Sequence, residues 1–292
     1  MDNYLIEFTK EMKKKELSKN TIEAYERDVN SFVGFLTQRK EDALEVDIVS
    51  IMAYVQNLKK DGKANSSIIR NLVSIRGFYK HLIKLGKISE NPLTNYEVPK
   101  NKRNIPEILT VDEIDRFLSS PDCNDYKGIR DKAMLELMYA TGIKVSELLN
   151  LRILDVNLKL SYIKCRSLKD KERIIPIGSF AVNCLEQYIQ SRDKINRGNL
   201  ELLFCNLKGE KMTRQGFWKM VKHYASQAKI NKVINSYTLR HSFAVHLLQN
   251  GADMKSVQEL LGHNTLSTTQ IYSSISKQSK IVDVYKNAHP RA

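Results

Sequence analysis

The sequence predicts a mainly α-helical protein with one small antiparallel β-sheet in its C-terminal part, divided into two domains. Three observations carry that prediction. Apolar residues recur at three-to-four spacing over most of the chain. The period shortens only around residues 162–177, where two short β-type runs flank a polar turn. A proline-bounded basic stretch separates two regions of different charge.

Residues 1–95 read as an N-terminal helical bundle. Ser18 or Asn20 is placed to cap a helix whose Ile22, Tyr25, Val29, Phe32, Val33 and Leu36 form one apolar face. Val49, Ile51, Met52, Val55 and Leu58 mark a second helix, with Gly62 suited to its C-terminal cap. A third starts at Asn65-Ser66-Ser67, carries Ile68, Leu72, Ile75, Phe78, Tyr79 and Leu82, and closes at Gly86. Asn91-Pro92 stops helix formation. Residues 96–108 then form a basic linker, with Lys100, Lys102 and Arg103 as candidate contacts to a phosphate backbone; an ordinary surface loop is the alternative.

The C-terminal domain, 109–292, opens on Thr110 as an N-cap with acids in the first turn. Helices are expected over Arg130–Tyr139 and Lys144–Leu151, then strands over Tyr162–Cys165 and Arg173–Ile177 around the turn Lys169-Asp170-Lys171. Further helices follow at about 179–190, 213–228, 239–250, 253–261 and 266–273.

Composition narrows the function classes. The formal net charge is +14. Residues 1–100 hold 17 Lys/Arg against 14 Asp/Glu, and the remainder 30 against 19, so net +11 belongs to the later part. Such a surface suits a nucleic acid, the alternative being a merely soluble basic protein. Cys123, Cys165, Cys184 and Cys205 are widely spaced and form no C-x-x-C pair, which argues against zinc and for core cysteines in a reducing compartment. With no signal pattern at the N-terminus and no run of about 18 apolar residues, a cytoplasmic protein without membrane contact is expected.

One constellation carries chemistry. Thr238-Leu239-Arg240-His241 is followed by Leu261-Gly262-His263 and then Tyr272. Breaking a DNA strand without water needs a nucleophile, a cationic clamp on the phosphate, a proton acceptor and a proton donor. Tyr272 suits the nucleophile, Arg240 offers a planar fork for two phosphate oxygens, and His263 suits proton transfer or a phosphate hydrogen bond. His241, about 100° around the helix from Arg240, reads as structural. Each has a bland alternative: one Tyr among 13 is a core or surface residue by default, and a lone His is usually a satisfied polar group. Their joint order and spacing favour the chemical reading.

The chain resembles the tyrosine recombinases, the phage integrase family, and among them the Xer-type bacterial and archaeal site-specific recombinases. The resemblance runs nearly end to end. It is carried by Leu17-Ser18-x-Asn20-Thr21-x-x-Ala24-Tyr25-x-Arg27-Asp28, Asn91-Pro92, Ile105-Pro106-x-x-Leu109-Thr110 and Arg130-Asp131-Lys132-Ala133-Met134-Leu135. Tyr139-Ala140-Thr141-Gly142, Val145-Ser146-Glu147-Leu148, Lys171-Glu172-Arg173 and Met212-Thr213-Arg214-Gln215 continue it. Leu266-Ser267-Thr268-Thr269-Gln270-Ile271-Tyr272 and the terminal His289-Pro290-Arg291-Ala292 end it.

The resemblance implies a two-domain clamp on double-stranded DNA and strand cleavage through a 3′-phosphotyrosyl intermediate without metal or cofactor. It implies a tetramer on DNA, of one chain or with a second recombinase, serving chromosome-dimer resolution and partition or mobile-element integration. It places Lys171, Arg173 and Arg214 with the linker cations as DNA contacts. Three positions depart from the family pattern. Lys144 stands where an Arg is expected, Leu168 where the hairpin Lys is expected, with Lys169 one place later, and Tyr237 where a His is expected. Lysine keeps the charge but loses the fork, and a phenol does not exchange protons near neutral pH as imidazole does. The alternatives are therefore a weakened or silent relative acting as a sequence-specific DNA-binding protein, and a helical basic transcription factor, which leaves the Gly262-His263…Tyr272 spacing unexplained.

Overall fold

A computed structural model describes residues 2–98, 107–166, 172–195, 201–235, 237–262 and 288–290. It is mostly helical with one small antiparallel sheet, as the periodicity predicts, and divides into two compact units, Met1–Asn104 and Ile105–Ala292.

The first unit holds α1 (Asp2–Lys14), α2 (Lys19–Gln38), α3 (Ile48–Lys60) and α4 (Asn65–Lys84). Ser18 caps α2 by accepting from the Thr21 amide, and Asp47 does the same for α3 through Ser50. The apolar stripes converge on a core that includes Phe32, Ile51, Tyr54, Leu72, Phe78 and Tyr79, with Phe32 and Tyr54 meeting edge to face at 5.0 Å. Asp28 is buried on α2 but compensated: Ser74 Oγ donates to it at 2.8 Å and Arg70 pairs with it at 3.1 Å. After the break at Asn91-Pro92 the chain folds back on α4, where Arg76 Nη2 donates to the Leu93 and Tyr96 carbonyls.

The second unit runs α5 (Val111–Leu118), α6 (Tyr126–Thr141), α7 (Val145–Leu148), β1 (Val156–Asn157), β2 (Tyr162–Arg166), β3 (Glu172–Pro176), α8 (Ser179–Ile195), α9 (Arg214–Gln227), α10 (Thr238–Gln249) and α11 (Met254–Leu261). Thr110 and Glu113 form a reciprocal capping box at α5. The strands pair antiparallel in the order β1-β2-β3, with Ile163 opposite Val156 on one side and Ile175 on the other. Helices α6 and α10 are buried nearly all round and form the centre of the unit. Inside it, Asp131 accepts from Arg130 Nε and Nη2 and from the Tyr224 hydroxyl at 2.9 Å. The short C-terminal piece Ala288–Pro290 rejoins this core: Asn250 Nδ2 donates to the Ala288 carbonyl, and the His289 ring lies 4.9 Å from that of Tyr139.

Two expectations are corrected. The helix expected over Lys144–Leu151 is only the turn α7: its bonds tighten at once, Asn150 N–H to the Glu147 carbonyl and Leu151 N–H to that of Leu148, and from Leu151 on the backbone turns to distant partners, Leu203 N–H donating to the Leu151 carbonyl and Ile153 N–H to that of Glu201. The 3-10 turn Ile153–Asp155 follows in the chain, with the Arg152 amide donating to Asp155 Oδ2 at 2.9 Å, and β1 then pairs with β2. Cys165 and Cys205 are core residues as expected, but Cys123 is exposed. The helix expected over 266–273 lies outside the described residues.

Candidate active site

Among the expected site residues, Arg240, Lys144, Tyr237, Arg173 and Arg214 are described. Tyr272, His263, Leu168, Lys169, Lys171, Lys100, Lys102 and Arg103 lie outside the described residues.

Arg240 sits in the first turn of α10 and is buried. Its guanidinium bridges two chain segments: Nη1 donates to the Gly142 carbonyl at 2.5 Å and Nη2 to the Leu261 carbonyl at 2.7 Å. Gly142 ends α6 and Leu261 ends α11. Each helix stops on a glycine in left-handed backbone, Gly142 at φ +59° and Gly262 at φ +63°. Gly142 lies two residues before Lys144, and Gly262 one before His263. Arg240 therefore fastens together the two stretches of chain that lead into those candidates. A planar donor set fixed by two carbonyls in a low-dielectric setting is a pre-organised cation.

Lys144 is half-buried at the start of α7, and its backbone N–H donates to Glu147 Oε2 at 2.8 Å. Glu147 is itself buried and receives Arg173 as a fork, Nη1 to Oε1 at 3.1 Å and Nη2 to Oε2 at 2.9 Å. Burial pushes the Glu147 carboxyl up, but the hydrogen bonds and charge of Arg173 outweigh it and hold the group below the usual carboxylate range. Arg173, expected to face DNA, is instead turned inward, with its Nε donating to the Leu260 carbonyl at 2.9 Å. Beneath it, burial pushes the Cys165 thiol up to about 12, so this cysteine is a neutral core group.

Tyr237 stands at the N-terminus of α10, 57% exposed. One turn on, the His241 ring lies 6.2 Å from the Tyr237 ring at 32°. Burial, with the nearby Arg240 charge, holds the His241 imidazole below its ordinary value. Arg214 is the exposed first residue of α9. Glu147 was absent from the sequence-based set, although a signal existed: it stands at the third position of the helix that Lys144 precedes, where a carboxylate returns to the helix-start amide. Among the described residues no group of His, Cys, Asp and Glu could hold a metal ion, and no helix is long and apolar enough to cross a membrane.

A helical bundle ahead of a helical unit with one short hairpin and a doubly anchored, buried arginine is an integrase-type architecture. Comparison with known proteins agrees at both ends of the chain. Residues 107–279 match the phage integrase family and residues 5–86 the phage integrase N-terminal SAM-like domain. Tyrosine recombinase XerD of Listeria innocua is 46% identical over 286 residues, covering 95% of each chain. That of Oceanobacillus iheyensis is 43% identical, covering 94% of each. Among solved structures, XerA recombinase is 28% identical and aligns over 100% of this chain and 99% of its own, with a TM-score of 0.54. XerH bound to a palindromic difH substrate in a post-cleavage complex superposes with a TM-score of 0.76 at 24% identity, over 87% of this chain and 76% of that one. The chain belongs to the phage integrase family and is a tyrosine recombinase of the Xer type.

Proposed function

We propose that this recombinase cuts and reseals double-stranded DNA at a specific site, with Tyr272 as the nucleophile that forms a 3′-phosphotyrosyl bond. The observation that carries the reading is Arg240, whose guanidinium bridges the helix ends ahead of Lys144 and His263. Its relatives in Listeria innocua and Oceanobacillus iheyensis are tyrosine recombinases, which supports the reading.

In this mechanism Arg240 and Lys144 carry positive charge to the scissile phosphate, Arg240 in a fixed orientation and Lys144 as a point charge. Tyr272 Oη attacks phosphorus as its proton leaves to an acceptor. The 5′ oxygen departs and takes up a proton. His263 serves proton movement and Tyr237 donates a hydrogen bond. Lys169 supplies the hairpin cation that Leu168 does not. A second attack by a 5′ hydroxyl reverses the step and releases the tyrosine, so no external energy source is required. Arg214, Lys171 and the linker cations Lys100, Lys102 and Arg103 neutralise backbone phosphates. By resemblance the working form is a tetramer on DNA, of one chain or shared with a second recombinase, in the cytoplasm. The N-terminal bundle, linker and catalytic domain are assigned to 1–95, 96–108 and 109–292.

The test is incubation with a nicked target-site duplex, followed by a denaturing gel. A covalent protein–DNA adduct is expected, abolished in Tyr272→Phe with DNA affinity nearly unchanged. Lys144→Arg with Tyr237→His is expected to speed its formation. Lys169→Ala is expected to slow it far more than Lys164→Ala, a residue exposed on β2. An adduct that persists in Tyr272→Phe assigns the nucleophile elsewhere. An adduct formed only by the restored double variant makes the natural chain a binding protein.

A further inference from the structure

We infer that Arg173 is a positioning residue for strand cleavage, holding the Lys144 turn and the end of α11 in one frame, rather than a contact to DNA. The inference rests on the cleavage reading above and deepens it.

One guanidinium spans three elements. Arg173 projects from β3, clasps Glu147 of α7 with two donors and gives its Nε to the Leu260 carbonyl of α11. Its side chain is 15% exposed and that of Glu147 is 6% exposed, so this is an ion pair largely withdrawn from water. Glu147 passes the constraint on, because the carboxylate that receives Arg173 also accepts the Lys144 amide at 2.8 Å. Arg240 makes a parallel tie between the same two regions through Gly142 and Leu261. Two arginines thus join the stretch from Gly142 to Glu147 with the stretch from Leu260 to Gly262.

The packing leaves little slack. A Cβ built on Gly262 would lie 2.9 Å from the Arg173 guanidinium carbon, so the turn backbone runs directly against it. A planar fork reaches a carboxylate and a carbonyl at once, whereas an ammonium offers one point charge on a flexible stem. Removing either partner leaves a buried charge without its counterion and frees the Lys144 turn to shift. A shift of about 1 Å at a cationic clamp is enough to cost on the order of 10²-fold in rate.

The experiment compares wild type, the charge-neutral Arg173→Gln, Glu147→Gln and the double variant in three measurements. These are adduct formation at saturating protein on a nicked target-site duplex, binding to that duplex across salt concentrations, and hydrogen exchange at the Lys144 amide. Each single variant is expected to slow adduct formation by about tenfold or more, with the double variant no slower than the slower single. Affinity and salt slope are expected to match wild type, and the Lys144 amide to exchange faster. A salt slope reduced by about one with weaker binding would make Arg173 a phosphate contact and overturn the inference. Additive losses, or unchanged exchange at Lys144, would overturn it as well. If wild type itself forms no adduct, the cleavage reading fails on its own, and exchange at Lys144 in the two single variants still decides whether the frame exists. Should Arg173→Gln not fold, Glu147→Gln still tests the frame through adduct formation and exchange at the Lys144 amide, and Arg173→Lys, which keeps the charge but loses the fork, is expected to slow the adduct at unchanged affinity.

Discussion

Gly142 shows how tightly a single residue is specified. Its backbone is left-handed at φ +59°, and a Cβ there would come within 2.4 Å of Phe243 and 2.9 Å of Leu261. Gly86 has a similar φ of +65° but open space around it. Gly86→Ala therefore meets only the left-handed penalty, about 1–2 kcal/mol. Gly142→Ala adds overpacking of a rigid ring, a further ~1–3 kcal/mol. Measured by urea unfolding against wild type, each variant in the transition of its own unit, Gly142→Ala should lose more stability than Gly86→Ala, and equal losses would refute the packing argument. Gly142 also offers the carbonyl that anchors Arg240, so its variant is expected to slow adduct formation, while Gly86→Ala leaves it unchanged.

At the scale of elements, α10 and α5 have different sources of stability. Helix α10 is buried almost throughout and carries two imidazoles, His241 and His246, both held below their ordinary values by burial. The Arg240 charge adds to that effect at His241, while a backbone hydrogen bond at Leu109 opposes it at His246. The sign follows from proton uptake. As pH drops below about 6.5, the unfolded chain takes up protons at these positions before the folded chain does. Their contribution is thus complete above that pH and is lost as pH falls through the lowered folded values. Urea unfolding followed from pH 7.5 to 5.5 should show stability of the second unit decreasing, with a shallower slope in His246→Gln. A slope unchanged by that substitution would exclude the histidine. Helix α5 depends instead on its cap: Thr110→Ala removes one side of the box with Glu113 and is expected to cost about 1 kcal/mol.

The whole molecule is two units, each with its own apolar core and its own buried polar compensation. Separately produced 1–104 and 105–292 are expected to unfold cooperatively, each with a sigmoidal denaturant transition. Gradual, non-cooperative melting of either piece would show that it needs the other. The excess charge lies in the second part of the chain, so binding to duplex DNA is expected to come mostly from 105–292 and to weaken steeply with salt, because each neutralised phosphate releases counterion. An affinity unchanged between about 50 and 200 mM salt would rule out phosphate contacts as the main source of binding.

Local signals were sufficient wherever the physics is local. Caps at Ser18 and Thr110, stop signals at Gly62 and Gly86, the period-3.6 stripes of α2 and α4 and the β-type alternation at 162–165 were all legible along the chain, because each depends on residues within a few positions of one another. The order and spacing of the signature residues likewise sufficed for the family. Long-range pairing was not legible. That Leu151 would leave its helix to bond Leu203, that Arg173 would turn inward to Glu147 and Leu260, and that Arg240 would bridge Gly142 and Leu261 depends on partners that are remote in sequence. A guanidinium in a sequence has the same five donors whether it meets phosphate, carboxylate or carbonyl. Only the tertiary structure, by deciding which acceptors are buried beside it, determines which of these it serves.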